Sequence, residues 1–324
     1  MSDLKEQITK YLSDAHAIEV QALAQLRPAV DAAGDERIAD AIREHVGETE
    51  GHERTVRALL ETRGAGPNRL EDLVMRAGGL GFLLFARLQP DTPGKLLAHS
   101  LSYEGLETAS YELLARTAER AGEDEVVTQA RGIRDEERRM IDRLDALAER
   151  AVDASLRELG ADDLREQLRK YLGDAHAIEE QAIALLERGP DLVADPQLAA
   201  VFADHLAETR DHAELVEERL AALGGDPSTA KDAALRLGAL NWGAFFRGHP
   251  DTPGKLAAFA FAFEHLEIGG YEQLKRVALR AGDEETAQMA ERILEQERAA
   301  AQRIAAGFDA AATASLEEQG VRER

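Results

Sequence analysis

Glutamate and histidine side chains interrupt apolar helical stripes at matching places along this 324-residue chain. The apolar residues recur at three- and four-residue steps, which is typical of the buried face of a helix. A carboxylate on such a face needs a metal, a hydrogen-bond network or a raised pKa to offset the cost of burying its charge. The candidate metal ligands are Glu19, His45, Glu48, His52, Glu104, Glu107, Glu137, Glu179, His205, Glu208, His212, Glu264, Glu267 and Glu297.

The ligands of the second half repeat those of the first at a constant offset of 160 residues. Residues 10–19 likewise recur at 170–179 with one change, and residues 90–95 recur unchanged at 250–255. A constant offset leaves no insertion or deletion between the copies, so each half is a complete module. We expect two tandem domains, at residues 1–158 and 162–318.

Each half is predicted to be all-α, because the apolar periodicity is helical throughout. Gly34 and Gly122 mark two short turns, and Thr92 followed by Pro93 is a typical helix start. The long link between the second and third helices contains an apolar stretch, 70–84, that predicts a short helix. In the first half the long helices are expected near 3–27, 35–62, 92–120 and 124–155. Two hairpins joined by one long crossover form a four-helix bundle.

These helices bring the candidate ligands to one level of the bundle. Glu19 and Glu48 are nearly equidistant from the first turn, and Glu107 and Glu137 each lie fifteen residues from Gly122. Antiparallel helices rise ~1.5 Å per residue, so equal distances from a turn give equal heights. We expect a polar layer to which all four helices contribute.

Carboxylate and imidazole ligands without thiolates suit iron or manganese, and suit zinc less distinctively. His45 precedes Glu48 by three residues and His52 follows it by four, and we expect only one of the two histidines to ligate. A metal-free network of glutamate, histidine and tyrosine is the alternative for the same residues.

Two further repeated pairs are expected to support this layer. Tyr111 and its copy Tyr271 lie four residues past a candidate glutamate and are expected to bond a core carboxylate. His16 and its copy His176 precede Glu19 and Glu179 by three residues; ligation is one alternative, but we expect them to support a ligand from outside the layer or to form a surface ion pair.

Four segments match a known family, namely residues 17–21, 45–49, 136–137 and 263–271, and the last of them is the most distinctive. They resemble the ferritin-like superfamily and, within it, the YciF-like stress-protein family. The resemblance covers nearly all of each half. It implies two tandem ferritin-like four-helix bundles, a di-iron carboxylate type of centre with two ions of iron or manganese per half, and a bacterial stress response. Ferritin-like relatives oxidise ferrous iron, reduce oxygen or peroxide, or oxygenate organic substrates.

One departure from the ferritin-like pattern concerns the fourth helix. Ferritin-like sites usually carry a histidine three residues after a glutamate on two helices. Met140 and Ala300 occupy that position after Glu137 and Glu297. The predicted ligand set is therefore richer in carboxylate than the usual one.

Composition excludes several classes of function. The 62 acidic and 39 basic residues give a net charge of −23, which argues against binding to nucleic acid or anionic membranes. The chain has no cysteine, which excludes disulfides, thiolate zinc sites and iron–sulfur clusters. The longest apolar stretches, 77–86 and 256–263, are shorter than the ~20 residues of a membrane span. We expect a cytoplasmic location.

Three functional hypotheses follow. The leading one is a dimetal protein that handles iron, oxygen or peroxide under stress, possessing ferroxidase- or peroxidase-type chemistry if it is an enzyme. The second is a metal-free helical stress or scaffold protein that binds protein partners. The third is a di-iron oxygenase. The two halves are expected to pack as a pseudo-dimer.

Overall fold

The computed structural model describes residues 4–66, 92–187, 193, 195–225 and 252–321, and the regular structure within these ranges is helical. The helices of the first half are α1 (Leu4–Ala32), α2 (Glu36–Thr62), α3 (Thr92–Arg120), α4 (Asp124–Ala146) and α5 (Ala148–Leu156). Those of the second half are α6 (Ala161–Leu186), α7 (Pro196–Ala222), α8 (Thr252–Ala281), α9 (Glu284–Ala306) and α10 (Phe308–Glu318). The all-α prediction is confirmed. The predicted short helix at 70–84 lies outside the described residues.

The described part of the chain divides into two compact units, built chiefly of residues 1–155 and 156–318. In the first unit α1 packs against α2 and α3 against α4, while α1 also contacts α3 and α2 contacts α4. The second unit repeats this arrangement with α6 to α9, and α10 packs on α8. The predicted duplication of a helical bundle is therefore confirmed. Within the described ranges, none of the helices is long and apolar enough to span a membrane.

Short turns join the helices where the sequence predicts them. Gly34 and Gly122 adopt φ values of +68° and +69°, a left-handed conformation that favours glycine. Asp35 then caps α2, and its carboxylate accepts hydrogen bonds from the backbone N–H groups of Arg37 (2.9 Å) and Ile38 (3.3 Å). These turns fix where each hairpin reverses, and so fix the heights of the side chains along it.

The end of α1 differs from the prediction. The helix continues to Ala32 through Pro28, although a proline inside a helix removes one backbone hydrogen bond. Leu26 and Ala29, on either side of the proline, are both buried in the core. Their packing holds this part of the chain in the helix.

The fourth predicted helix, 124–155, is two helices in the structure. α4 ends at Ala146, and the N–H of Leu147 bonds the carbonyl of Leu144 at 2.9 Å in a tighter turn. α5 begins after this turn. Near its end, Ser155 Oγ accepts a hydrogen bond of 2.9 Å from the N–H of Gly94, which ties α5 to the start of α3.

The core of the first unit is made of two apolar clusters. Members of one cluster are Leu26, Ile38, Leu97 and Met140, and members of the other are Leu12, Leu60, Leu114 and Ile133. On each of α1 to α4 the candidate ligands lie in sequence between residues of the two clusters. The bundle therefore holds a polar layer between two apolar ones.

Candidate metal centre

The described residues of the first unit bring acidic and imidazole groups together in two overlapping sets. His45, Glu104, Glu107 and Glu137 form the first set, and their ligand atoms all lie within 4.8 Å of one another. The second set has Glu19, His52 and the same Glu137, within the same limit. Since Glu137 has two carboxylate oxygens, it can serve both sets at once.

The second unit repeats both sets with its own side chains. His205, Glu264, Glu267 and Glu297 form one set, and Glu179, His212 and Glu297 form the other. Glu297 is the shared member, as Glu137 is in the first unit.

The distances around Glu137 show how the two sets meet. His52 Nδ1 lies 2.8 Å from Glu137 Oε1 and 3.8 Å from Glu19 Oε1. His45 Nε2 lies 3.1 Å from Glu104 Oε2 and 3.5 Å from Glu137 Oε2. All of these side chains are at most 4% exposed. Both histidines of α2 therefore face the layer, and each belongs to a group that could hold a metal, so the geometry makes both available as ligands where only one was expected to ligate.

The converging atoms lack ordinary hydrogen-bond partners. Within the described residues, the first-unit atoms that are buried with no partner in hydrogen-bonding geometry include Glu19 Oε2, His45 Nε2, His52 Nδ1, Glu104 Oε2 and both carboxylate oxygens of Glu107 and Glu137. Buried polar atoms are almost always satisfied, and a group of unsatisfied ones at a single point needs an explanation. Oxygen and imidazole nitrogen atoms are donors that iron and manganese accept. The residues present thus fit a bound metal.

Burial shifts the titration of the carboxylates strongly. Together with the nearby Glu137 carboxylate, burial raises the pKa of Glu19 to about 8. Burial raises the pKa of Glu137 to about 7, although the close contact with His52 lowers it. It also holds the pKa of Glu107 well above its usual range. Without a cation, the layer therefore retains protons near neutral pH.

The neighbouring carboxylates raise the pKa of both histidines, although burial alone would lower it. Burial lowers the pKa of His52, but the close contact with the Glu137 carboxylate and the charge of Glu19 outweigh burial and raise that pKa to about 9. Burial also lowers the pKa of His45, but the charge and hydrogen bonding of Glu104 outweigh the effect of burial. The pKa of His45 is therefore well above its usual value. A cation bound between these groups would balance the negative charge of the carboxylates in place of the protons.

Glu48 does not join either set, and this corrects the expectation that it lies in the polar layer. Its side chain is 27% exposed and accepts hydrogen bonds from Arg143 and from His45 Nδ1, the latter at 2.9 Å. Glu208 of the second unit lies in the same way, 32% exposed and bonded to Arg303. Glu48 thus supports His45 from outside the layer.

Tyr111 is a partner of the layer, as expected. It is 1% exposed, and its hydroxyl donates a hydrogen bond to Glu19 Oε1. Tyr271 makes the same bond to Glu179. These bonds fix one oxygen of each carboxylate, while the other oxygen, Oε2, is buried without a hydrogen-bond partner.

The sequence pattern of a family described as "Domain of unknown function (DUF892)" matches residues 3–157 and again residues 163–317. The chain belongs to the DUF892 family. A protein from Xanthomonas campestris pv. campestris with a solved crystal structure is 30% identical, and the match covers 49% of this chain and 99% of that one, with a TM-score of 0.41.

The two DUF892 copies differ in what holds the outer side of each histidine. In the first copy His52 Nε2 lies 2.7 Å from a carboxylate oxygen of Glu136, whereas in the second His212 Nε2 lies 3.1 Å from the amide oxygen of Gln296. The contact from His205 Nδ1 to Glu208 is 3.6 Å, compared with 2.9 Å for its counterpart in the first copy. The inward-facing ligands are kept between the copies, while the outer contacts of the histidines differ in partner or in distance.

His16 also has an outer partner in the first DUF892 copy. Its Nε2 lies 2.9 Å from Glu53 Oε1, and Arg57 bonds the same carboxylate. His16 therefore pairs with a carboxylate as expected, but it does so as a buried side chain and not at the surface. Ala213 occupies the place of Glu53 in the second copy, so His176 has a different environment.

The arginines that hold Glu48 and Glu208 were missed by sequence reasoning. Arg143 and Arg303 are separated by the same 160 residues as the ligands. That repeat was the signal that could have found them.

Proposed function

We propose that each half of the chain holds a dinuclear centre of iron or manganese, and that the protein handles iron, oxygen or peroxide in a stress response. The observation that carries this proposal is the position of Glu137 and Glu297, each of which belongs to two ligand sets at once. A carboxylate shared in this way is typical of dinuclear carboxylate centres.

The ligands would divide between two ions. One ion would be held by His45, Glu104, Glu107 and Glu137, and the other by Glu19, His52 and Glu137. Two divalent cations carry the charge needed to neutralise the four carboxylates of each half, and their binding would displace the protons that burial now retains. Bound iron or manganese supplies a redox couple that can exchange electrons with oxygen or peroxide.

The protein's own residues contribute burial and orientation. Apolar clusters on both sides of the layer exclude bulk water, which strengthens every charge interaction inside. Tyr111, Glu48 and Glu136 fix the orientation of Glu19, His45 and His52 from behind. The resemblance to ferritin-like and YciF-like proteins supports the choice of oxygen chemistry and of a stress role.

Metal content tests the proposal directly. Protein refolded anaerobically with ferrous or manganous salt and then desalted should retain two ions per half. Glu137→Gln and Glu297→Gln preserve side-chain volume, and each should remove the metal of its own half only. Glu112→Gln is the matched control, because Glu112 is a buried glutamate of α3 that pairs with Arg116 and Arg134 outside the layer.

Retention of well below one ion per half would refute the proposal. A melting temperature that neither chelator nor added metal changes would instead favour the metal-free scaffold. If the metal binds, stopped-flow absorbance can monitor the oxidation of the ferrous protein by oxygen and by hydrogen peroxide. The two rates would show which oxidant the protein uses.

A further inference from the structure

A small pocket of mixed apolar and polar lining lies beside the polar layer of the first unit, between α1 and α3. Its volume is about 10 Å³, and its polar lining consists of Gln25, His99, Ser100, Tyr103 and Glu104. Glu104 is also a member of the first ligand set. The pocket therefore reaches a side chain that would hold a metal.

The lining is organised by hydrogen bonds between α1 and α3. His99 Nε2 lies 2.9 Å from Gln25 Oε1, and the hydroxyl of Tyr103 donates a 2.9 Å bond to the carbonyl of Ile18. Gln25 and Ser100 are 8% and 6% exposed. Polar side chains at such depth cost free energy unless they find hydrogen bonds, and His99, Gln25 and Tyr103 find them with one another or with the backbone. Glu104 Oε2, on a side chain of the lining, has no hydrogen-bond partner and can accept a bond from a small donor.

The second unit has apolar residues at all of the places that correspond to Gln25, His99, Ser100 and Tyr103. They are Leu185, Phe259, Ala260 and Phe263. The ligand sets, in contrast, are the same in both units. The fold and the ligands thus do not require the polar lining, which distinguishes one centre from the other.

We propose that this pocket, formed by Gln25, His99, Ser100 and Tyr103, admits water and neutral water-sized hydrogen-bonding molecules to the first centre, and that the apolar side chains of the second unit close the same route. The proposal rests on the proposed function, because it names the ligand path of that centre. About 10–15 Å³ is the space that one water molecule needs. Leu26, Ala29 and Leu96 complete the lining, and an apolar surrounding makes a charged ligand costly, so a neutral ligand is favoured.

The first test is made without metal, so that its result does not depend on the proposed function. In a high-resolution crystal structure of the metal-free protein, we expect an ordered water in the pocket that bonds its polar lining. We expect no water at the corresponding place of the second unit. An empty pocket in the first unit, or a water in both units, would overturn the proposal.

The second test uses manganous ion as a probe of water access. Glu297→Gln leaves only the first centre and Glu137→Gln leaves only the second, and the relaxation of bulk water protons per bound ion should be higher for the first. Adding Gln25→Leu, His99→Phe, Ser100→Ala and Tyr103→Phe to the Glu297→Gln protein should remove this excess at unchanged metal content. An excess that persists would contradict the proposal.

Each of these four substitutions introduces the residue that the second unit carries at the same place. Should the combined variant fail to fold, Ser100→Ala with Tyr103→Phe is a smaller change that should lower the relaxation in the same direction. If manganese does not bind at all, the proposed function fails, while the metal-free crystal structure still decides whether the pocket holds water.

Discussion

His52 Nε2 lies 2.7 Å from Oε2 of Glu136, on the side of the ring that faces away from the ligand set. The other ring nitrogen, Nδ1, lies 2.8 Å from Glu137. A carboxylate behind a metal-ligating histidine fixes the orientation of the ring and increases its basicity. Gln296 occupies this place in the second unit, and a neutral amide polarises the ring less. The two centres should therefore bind metal with unequal affinity.

Exchanging these two residues should exchange the affinities. Outer partners of ligating histidines contribute about 10- to 100-fold in metal affinity when removed, and an amide in place of the carboxylate should cost about the lower value. Glu136→Gln should weaken metal binding in the first half, and Gln296→Glu should strengthen it in the second. Competition with a chromophoric chelator, in proteins that keep only one centre, measures both changes.

The matched control for this exchange is Glu125→Gln, which removes an exposed carboxylate from the same helix, α4. It should leave both affinities unchanged. Equal losses for Glu125→Gln and Glu136→Gln would mean that general surface charge is responsible, and the role assigned to Glu136 would be wrong.

Glu48 and Glu107 should respond differently to the same substitution. Glu107→Gln removes an inward-facing ligand and should abolish binding of one ion of the first half. Glu48→Gln removes the carboxylate that holds His45 Nδ1 and Arg143, so it should lower affinity but keep the number of ions. Metal analysis under saturating conditions separates the two outcomes. Loss of an ion in Glu48→Gln would return that residue to the ligand set.

The outcome for Glu48 illustrates how much of the site could be predicted from sequence. Counting residues from the turn gave the correct height for this residue, but height does not fix direction around the helix. Seven residues make nearly two full turns, so His45 and His52 point the same way. Glu48 is about 60° away from His45 on a helical projection, which is sufficient to take it out of the layer towards Arg143.

The fold could be predicted more completely than the site because apolar periodicity and the repeat are long-range signals. The helix break at Leu147 could not be predicted from the sequence of the first half, because neither glycine nor proline occurs at this position. Gly307 occupies the equivalent position in the second half. A glycine there indicates a helix end, so comparing the two halves would have predicted the break. The pocket beside Glu104 was also missed, because it depends on contacts between α1 and α3 that no local pattern records.

Tyr111→Phe should destabilise the protein in a pH-dependent way. The substitution preserves the buried ring and removes the hydroxyl that donates to Glu19. Hydrogen bonds to charged groups contribute roughly 1.5–3 kcal/mol and those to neutral groups roughly 1 kcal/mol. The pKa of Glu19 is about 8, so the loss in metal-free protein should be larger at pH 9 than at pH 6.5. Urea unfolding at the two pH values measures it.

Tyr103→Phe is the control for this measurement, because its hydroxyl donates to a neutral backbone carbonyl. Its smaller effect should be the same at both pH values. A loss for Tyr111→Phe that is likewise independent of pH would show that the hydroxyl does not stabilise the carboxylate form of Glu19.

The metal-free protein should lose stability as the pH rises from about 4.5 to about 9. In the folded chain the pKa of Glu19 is raised to about 8, that of Glu137 to about 7 and that of His52 to about 9. The folded state thus binds protons that the unfolded chain has already released, so the free energy of unfolding falls with rising pH. The lowered pKa of Glu48, about 2, acts in the opposite sense only at more acidic pH.

Bound metal should reverse this trend, because cations bind the deprotonated ligands and remove the cost of their charge. The rise in melting temperature on adding manganese should therefore be greater at pH 8.5 than at pH 6, and calorimetry in buffers of different ionisation enthalpy should detect released protons. Glu107→Gln removes one of the raised acids and should make the metal-free protein less sensitive to pH. A metal-free protein with a flat profile across this range would mean that the buried carboxylates are not held in their protonated forms.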